Sequence, residues 1–257
     1  QRLVRVWERG RAIAAAMRTS GKVRPFALNA VFYRGDLMQI VMKSSTAQLL
    51  GALGPADIEA KRPMQADTMF WIASQTKPMT GVAVMMLVDE GKVALDDPIE
   101  KYLPEFKGQQ LDAGKGPDGK PVLKSPAHPI TVREVLSHTS GLPFKSKAEE
   151  PTLDGLPLRD AVASYAKTPL TFEPSSKYSY SNAGINTAAR IIEVVSGISY
   201  EDFMQKRLFD PLGMKDTTFW PTETQVARIA KSYKGNKEKH DVEEVPVGQL
   251  KYPLTDH

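Results

Sequence analysis

The sequence SQTK at residues 74–77 places a hydroxyl and an amine three residues apart. It follows the apolar residues 69–73 and opens a long apolar segment, and Pro78, tolerated only in a first turn, predicts a buried helix that starts near Ser74. Residues three apart share a helix face, so the Lys77 amine can reach the Ser74 hydroxyl. A lysine in apolar surroundings has a lowered pKa and can accept a proton, while the helix N-terminus favours negative charge on the serine oxygen. This chemistry is that of a nucleophile with its base.

A structural interpretation competes with it, in which Ser74 caps the helix and Lys77 extends into solvent. The same spacing also occurs at Ser164 and Lys167, near the end of another predicted helix and on its surface. The spacing alone therefore does not decide between catalysis and capping.

A second set of polar residues lies in KYSYSNAG, residues 177–184. Tyr180 could transfer a proton, with the Lys77 cation lowering the pKa of its phenol, and the amide of Asn182 could orient a substrate. Alternatively, Ser181 or Asn182 caps the helix predicted at 182–196, and Tyr180 packs within a helical domain.

The elements that must position these residues change in character along the chain. An amphipathic helix is predicted at 3–18, two hairpin strands within 26–43, loop-like residues at 44–68, and a helix at 76–90 that Gly91 ends. After residue 95, strand-like alternation disappears. Helices are predicted there at 131–137, 158–167, 182–196 and 200–209, separated by loops such as 114–129. A helical domain is therefore predicted after a strand-and-helix beginning. Two strands do not make a stable sheet, so further strands follow residue 230 or lie outside this sequence.

Composition excludes several function classes. The 34 basic and 30 acidic residues are interleaved, which argues against a nucleic-acid partner, and the charge-dense residues 231–244 predict a solvated hairpin or loop. The chain has no cysteine, and its four histidines lack metal-binding spacing, so no metal site is expected. No apolar run reaches the roughly 18 residues of a membrane span. The GxxxxGK pattern at 114–120 is followed by Pro121 instead of Ser or Thr, which favours a surface turn.

Longer segments carry a family resemblance: residues 70–106, 131–142, 172–203 and 208–219. In this order they resemble the serine β-lactamase and penicillin-binding protein superfamily, above all its class C β-lactamase, DD-peptidase and family VIII esterase branch. The resemblance implies an α/β (α+β) fold, an antiparallel sheet flanked by helices with an inserted all-α domain. The predicted domains are residues 1–95, the N-terminal part of the α/β domain; 96–225, the all-α domain; and 226–257, a return toward the α/β domain.

By position, the resemblance makes Ser74 the acyl-accepting nucleophile and Lys77 its partner, with Tyr180 and Asn182 as the tyrosine and asparagine of the YxN motif. His138 matches a position interpreted as architectural. The resemblance implies a periplasmic or secreted serine hydrolase that needs no cofactor and forms an acyl-enzyme with an ester, a peptidoglycan-like peptide or a β-lactam. The alternative is a non-catalytic relative that binds cell-wall peptide or a partner protein.

Two departures from the family pattern stand out. Pro174-Ser175 replaces a frequent Pro-Gly, which is interpreted as a tolerated change in a turn. The third motif, Lys-Thr-Gly or His/Trp-x-Gly, is not found, and KSYKG at 231–235 is not predicted to lie on a strand. The sequence is therefore expected to lack the C-terminal third of such an enzyme, and the incomplete sheet edge predicts self-association.

Overall fold

The computed structural model describes residues 25–32, 38–44, 48–150, 153, 155–236 and 241–245. The helix predicted at 3–18 and the turn of the first hairpin lie outside these residues. The described strands are, in chain order, β1 (Pro25–Phe32), β2 (Met38–Ser44), β3 (Gln48–Leu53), β4 (Pro55–Asp57), β5 (Arg62–Pro63), β6 (Leu111–Lys115), β7 (Pro121–Lys124), β8 (Ser232–Asn236) and β9 (Asp241–Val245).

Most of the regular secondary structure between β5 and β8 is helical. They are α1 (Thr76–Asp89), α2 (Val132–Leu136), α3 (Leu158–Ala166), α4 (Asn182–Ser196), α5 (Tyr200–Met204), which continues as the π-helical turn Gln205–Phe209, and α6 (Glu223–Val226). Single 3-10 turns lie at Ala73–Gln75, Ile99–Lys101, Pro104–Phe106 and Lys147–Glu149. The helices predicted at 76–90, 131–137, 158–167 and 182–196 are confirmed, because periodicity and Pro or Gly boundaries are local signals.

The chain divides into two compact units, residues 1–71 with 222–247 and residues 72–221 with 248–257. In the first unit, β1, β2 and β3 form an antiparallel sheet in that order, and Ile40 lies opposite both Ala30 and Gly51. The prediction of a loop at 44–68 is therefore wrong at β3. The strand QLLGAL does not alternate apolar and polar residues, and backbone pairing does not require that it should. The predicted division into residues 1–95, 96–225 and 226–257 stays a prediction.

The first unit also contains the antiparallel pair of β8 and β9, so of the two alternatives predicted for residues 231–244, a hairpin or a loop, the structure has the paired strands. Residues 232–235 lie on β8, so the prediction that KSYKG is not on a strand is wrong. The Lys231 amine forms ion pairs with Glu244 at 2.7 Å and Asp57 at 3.3 Å. These two carboxylates raise the pKa of Lys231.

The second unit has a large hydrophobic core, with α4 at its centre. Helix α4 packs against α1, α2, α3 and α5. It buries Ala188, Ile191 and Ile192 completely, and α1 buries Ala83, Val84 and Leu87. The removal of this apolar surface from contact with water is the main force that holds the unit together. Among the described residues, no helix combines the length and hydropathy of a membrane span.

A hairpin of β6 and β7 interrupts the segment predicted as a loop at 114–129. The prediction that strands are absent between residue 95 and about residue 220 is therefore wrong at β6 and β7. The turn is closed by the Gly116 N–H, which donates to the Lys120 carbonyl at 2.9 Å, and by the Asp118 carboxylate, which accepts the Lys120 N–H at 3.1 Å. Aspartate favours such turns through this side-chain contact, which is a local signal that the apolar pattern does not reveal.

Gly141 holds the loop after α2 against the segment at residues 170–172. Its carbonyl accepts the Thr171 N–H at 2.8 Å, and its φ of +80° lies in the left-handed region. A Cβ atom at this position would lie 2.3 Å from the Phe172 carbonyl oxygen. Only glycine permits this approach.

We expect Gly141→Ala to destabilise the protein more than Gly108→Ala, its matched control. Gly108 has a similar φ of +76°, but a Cβ atom there would meet nothing within 4 Å. The control should cost about 1–2 kcal/mol for the left-handed backbone, and Gly141→Ala about 1–3 kcal/mol more because the Phe172 carbonyl must move. Urea unfolding measures both free energies, and equal costs would contradict the close approach.

Candidate active site

Ser74 lies on the 3-10 turn Ala73–Gln75, directly before α1. The turn is strained, because Ala73 has a φ of +44°, a region that costs a residue with a Cβ atom about 1–2 kcal/mol. The N-cap of α1 is Gln75, which makes no side-chain capping bond. The Ser74 hydroxyl is exposed and bonded to side chains, so the interpretation of Ser74 as a helix cap is wrong.

Two donors converge on the Ser74 hydroxyl oxygen. Half-buried Lys77, in the first turn of α1, donates from Nζ at 3.0 Å, as the three-residue spacing predicts. The Tyr180 hydroxyl, from the segment before α4, donates at 2.7 Å. The Lys77 Nζ also lies 5.0 Å from the centre of the Tyr180 ring. The structure thus brings Ser74, Lys77 and Tyr180 together.

The environment of Tyr180 favours its ionised form. Hydrogen bonding with Lys77, and then with Ser74, lowers the pKa of the Tyr180 phenol, and the Lys77 charge acts in the same direction against a small opposing effect of burial. A phenol with a lowered pKa is a phenolate in a larger fraction of molecules at a given pH. A phenolate at hydrogen-bond distance can take the Ser74 proton.

Two further rings surround Tyr180. The His138 ring lies 4.8 Å from it, tilted by 31°, and the Phe144 ring stacks on it with a centroid distance of 6.2 Å. Phe144 was not predicted as a site residue, since it belongs to a loop without periodicity. His138 was predicted to be architectural, and nothing in its sequence neighbourhood indicates a contact with Tyr180.

Asn182 is the first residue of α4, whose N-cap is Ser181; the Ser181 hydroxyl accepts the Gly184 N–H at 3.0 Å. Capping is therefore the role of Ser181. The Asn182 N–H donates to the Phe144 carbonyl at 3.1 Å. Its side-chain oxygen is buried and accepts no hydrogen bond from the part of the chain that the structure describes. A buried acceptor without a partner is costly, so this oxygen offers a place for a donor.

The second Ser-Lys pair has other partners. The Ser164 hydroxyl donates to the Ser146 hydroxyl at 2.7 Å, and Lys167 is exposed at the end of α3. Identical spacing therefore joins the serine and lysine by a hydrogen bond at a helix start, whereas at a helix end the serine bonds to another serine.

Ser175 occupies the position where the resembling family often has glycine. Its φ of +63° explains the preference for glycine, because a residue with a Cβ atom is strained in the left-handed region. The turn is held by the Ser175 N–H, which donates to the Thr139 carbonyl at 2.8 Å, and by its hydroxyl, which donates to the buried Glu134 carboxylate. These bonds make the serine tolerable in the turn.

We expect Lys77→Met to raise the pKa of Tyr180 toward its ordinary value of 10.0, because the substitution removes the main cause of the shift while keeping an unbranched side chain. The matched control is Lys167→Met, which changes the other Ser-Lys pair. The measurement is an ultraviolet titration of each variant against the same variant carrying Tyr180→Phe. An unchanged Tyr180 titration in Lys77→Met would contradict the electrostatic role of Lys77.

Within the described ranges, histidine, aspartate and glutamate side chains form no group of three that could hold a metal ion.

Comparisons with known proteins give a consistent result. A family model described as Beta-lactamase matches residues 8–253. The chain is 33% identical over 208 residues to Esterase EstB of Burkholderia gladioli, covering 76% of this chain and 48% of that protein. It is 29% identical over 190 residues to Penicillin-binding protein 4* of Bacillus subtilis, covering 69% and 36%. The solved structure of EstCE1, a hydrolase with promiscuous acyltransferase activity, matches with a TM-score of 0.62 and 29% identity, covering 78% of this chain and 51% of that one. The chain spans about half the length, or less, of these curated relatives.

Proposed function

Because the chain belongs to the beta-lactamase family, we propose that it is a serine hydrolase that cleaves an ester or amide through an acyl-enzyme on Ser74. The observation that carries this proposal is the double hydrogen bond to the Ser74 hydroxyl oxygen, from Lys77 at 3.0 Å and Tyr180 at 2.7 Å. Esterase EstB and EstCE1 support the class of reaction by similarity.

The proposed acylation begins with Tyr180 ionised, so that the Ser74 hydroxyl donates the hydrogen bond that Tyr180 donates when it is neutral. The Ser74 oxygen bonds to the substrate carbonyl carbon while its proton passes to the Tyr180 phenolate. Backbone N–H groups at the start of α1 stabilise the oxyanion that forms. As the intermediate collapses, the carbonyl carbon loses its alcohol or amine, which takes the proton from Tyr180. The Lys77 cation stabilises the phenolate at the start and end of this transfer.

Deacylation repeats the transfer with water. Water bonds to the acyl carbon and gives a proton to the Tyr180 phenolate. The bond between the carbon and the Ser74 oxygen then breaks, and Ser74 takes the proton. The products are a carboxylic acid and the free enzyme, so no cofactor is consumed.

An ester with an apolar group is the substrate best supported. Phe144 is exposed and stacks on Tyr180, and Tyr178 is exposed and meets the His138 ring edge-on at 5.7 Å. These rings form an apolar surface beside the Tyr180 phenol that contacts Ser74. Such a surface favours an apolar acyl or alcohol group over a charged one.

A peptide-like amide, as in a peptidoglycan fragment or a β-lactam, is the second candidate. The observation that favours it is the Asn182 side-chain oxygen, which has no partner among the described residues. Because this oxygen is buried, it can accept a substrate amide N–H only after a local movement exposes it. The similarity to Penicillin-binding protein 4* agrees with this candidate.

We expect Ser74→Ala to abolish covalent labelling and to lower turnover by roughly 10³- to 10⁶-fold, because the nucleophile is removed. The measurement is intact-mass spectrometry after incubation with an activated ester or, separately, a penicillin. Ser164→Ala is the matched control, since it changes the serine of the other Ser-Lys pair, and it should keep both labelling and turnover.

Labelling by the ester alone would support the esterase proposal, and labelling by penicillin would favour the amide candidate. An adduct that survives in Ser74→Ala would overturn the role of Ser74. The absence of any adduct and turnover in the wild type would favour the non-catalytic alternative, a protein that binds cell-wall peptide or a partner.

A further inference from the structure

His138 contacts the residues on both sides of Tyr180. Its backbone carbonyl accepts the Ser179 N–H at 2.8 Å, and its ring Nδ1 accepts the Ser181 N–H at 3.1 Å. The ring itself lies 4.8 Å from the Tyr180 ring. One residue therefore holds the backbone before and after Tyr180 and supports one face of the phenol ring.

His138 is itself well anchored. It follows the end of α2, where the Ser137 N–H donates to the Arg133 carbonyl at 2.9 Å and the Thr139 N–H donates to the Glu134 carbonyl at 3.0 Å. Its φ of +61° is left-handed, a conformation in which asparagine, aspartate and histidine are enriched among residues other than glycine. In this conformation, both the carbonyl and the ring of His138 reach the segment that carries Tyr180.

We propose that His138 is a positioning residue that holds the Tyr180 phenol at Ser74 through its hydrogen bonds to Ser179 and Ser181, and that it does so only as a neutral imidazole with the proton on Nε2. The inference rests on the proposed function, since it concerns the tyrosine that transfers the proton there.

The requirement for a neutral ring follows from the hydrogen bond to Ser181. Nδ1 accepts an N–H, so it must keep its lone pair, and the proton of the neutral ring is on Nε2. A protonated ring would turn a second donor toward the Ser181 N–H and break the bond. At a pH above the pKa of His138, the wild type is therefore expected to hold Tyr180 in place. As the pH falls through that pKa, Tyr180 should be released.

The surroundings of His138 favour the neutral ring at physiological pH. Burial, and then the positive charge of Lys77, lower the pKa of His138 below its ordinary value of 6.5. Among the residues that the structure describes, the other titratable groups facing the ring are the phenols of Tyr178 and Tyr180. The hydrogen bond to Ser181 should therefore persist into mildly acidic solution.

The test compares His138→Asn with His138→Gly. Both residues tolerate the left-handed backbone, so both should fold, which thermal unfolding verifies. Asparagine places an acceptor oxygen where histidine has Nδ1, but it has no ring and does not titrate. We expect His138→Gly to lower kcat for an activated ester by about 10- to 100-fold, since small displacements of a reacting group are costly, with KM little changed. We expect His138→Asn to stay within a few-fold of the wild type.

The pH profile separates positioning from packing. Protonation of Tyr180 should lower kcat with falling pH in every variant. In the wild type, kcat should show a further fall along the titration of His138 followed by NMR, and His138→Asn should lack that further fall. The same NMR samples report hydrogen exchange of the Ser179 and Ser181 amides. We expect both amides to be protected from exchange at neutral pH, and the Ser181 amide to lose its protection as His138 becomes protonated.

Equal losses of kcat in both variants, or the same further fall in His138→Asn, would overturn the proposal and leave ring packing as the role of His138. A wild type without turnover or Ser74 adduct would instead refute the proposed function. In that case the exchange data still decide whether neutral His138 holds the backbone around Tyr180. An unprotected Ser181 amide in the wild type would refute this positioning role.

Discussion

The hydroxyl oxygen of Ser74 accepts hydrogen bonds from two donors that reach it in different ways. Lys77 is brought there by helix geometry alone, because it lies one turn along α1. Tyr180 is 106 residues away in sequence and arrives through the packing of α4 in the core of the second unit. The local contact depends only on the turn at Ala73–Gln75 and the start of α1, whereas the distant one requires that the whole unit be folded. The geometry around the Ser74 hydroxyl therefore persists only while the contact between α1 and the segment before α4 is maintained.

The Lys77 cation acts on two neighbouring rings in ways that support the same chemistry. It lowers the pKa of Tyr180 and so favours the phenolate, which can accept a proton. It also contributes to the lowered pKa of His138 and so favours the neutral imidazole, which can accept the Ser181 N–H. One positive charge thus favours both a base at the Ser74 hydroxyl and a hydrogen-bond acceptor that holds that base. This arrangement needs no further charged group.

Backbone strain is concentrated in the segments that carry these residues. Ala73, His138 and Ser175 all have a positive φ, and each precedes or contacts a part of the site. Strain of about 1–2 kcal/mol at a residue persists only where the surroundings hold it. The surroundings here are the buried faces of α1 and α4, the close approach at Gly141, and the Ser175 bond to buried Glu134. The large core of the second unit therefore also keeps three unfavourable backbone conformations in place.

The sequence by itself determined the helices α1 to α4 and the proximity of Lys77 to Ser74, and through family resemblance it predicted Tyr180 and Asn182 as candidate site residues. These follow from local spacing, from Pro and Gly boundaries and from motif order. Only the tertiary structure decided that Ser181 caps α4, that Tyr180 donates to Ser74, and that His138 accepts the Ser181 N–H. It also decided that the Asn182 side-chain oxygen is buried with no partner in the part of the chain that the structure describes. It also decided that β3 pairs with β2, although the sequence of β3 does not alternate. The physical reason is that periodicity and capping depend on near neighbours in the chain. Which distant groups meet depends on how the side chains of the whole core fit together.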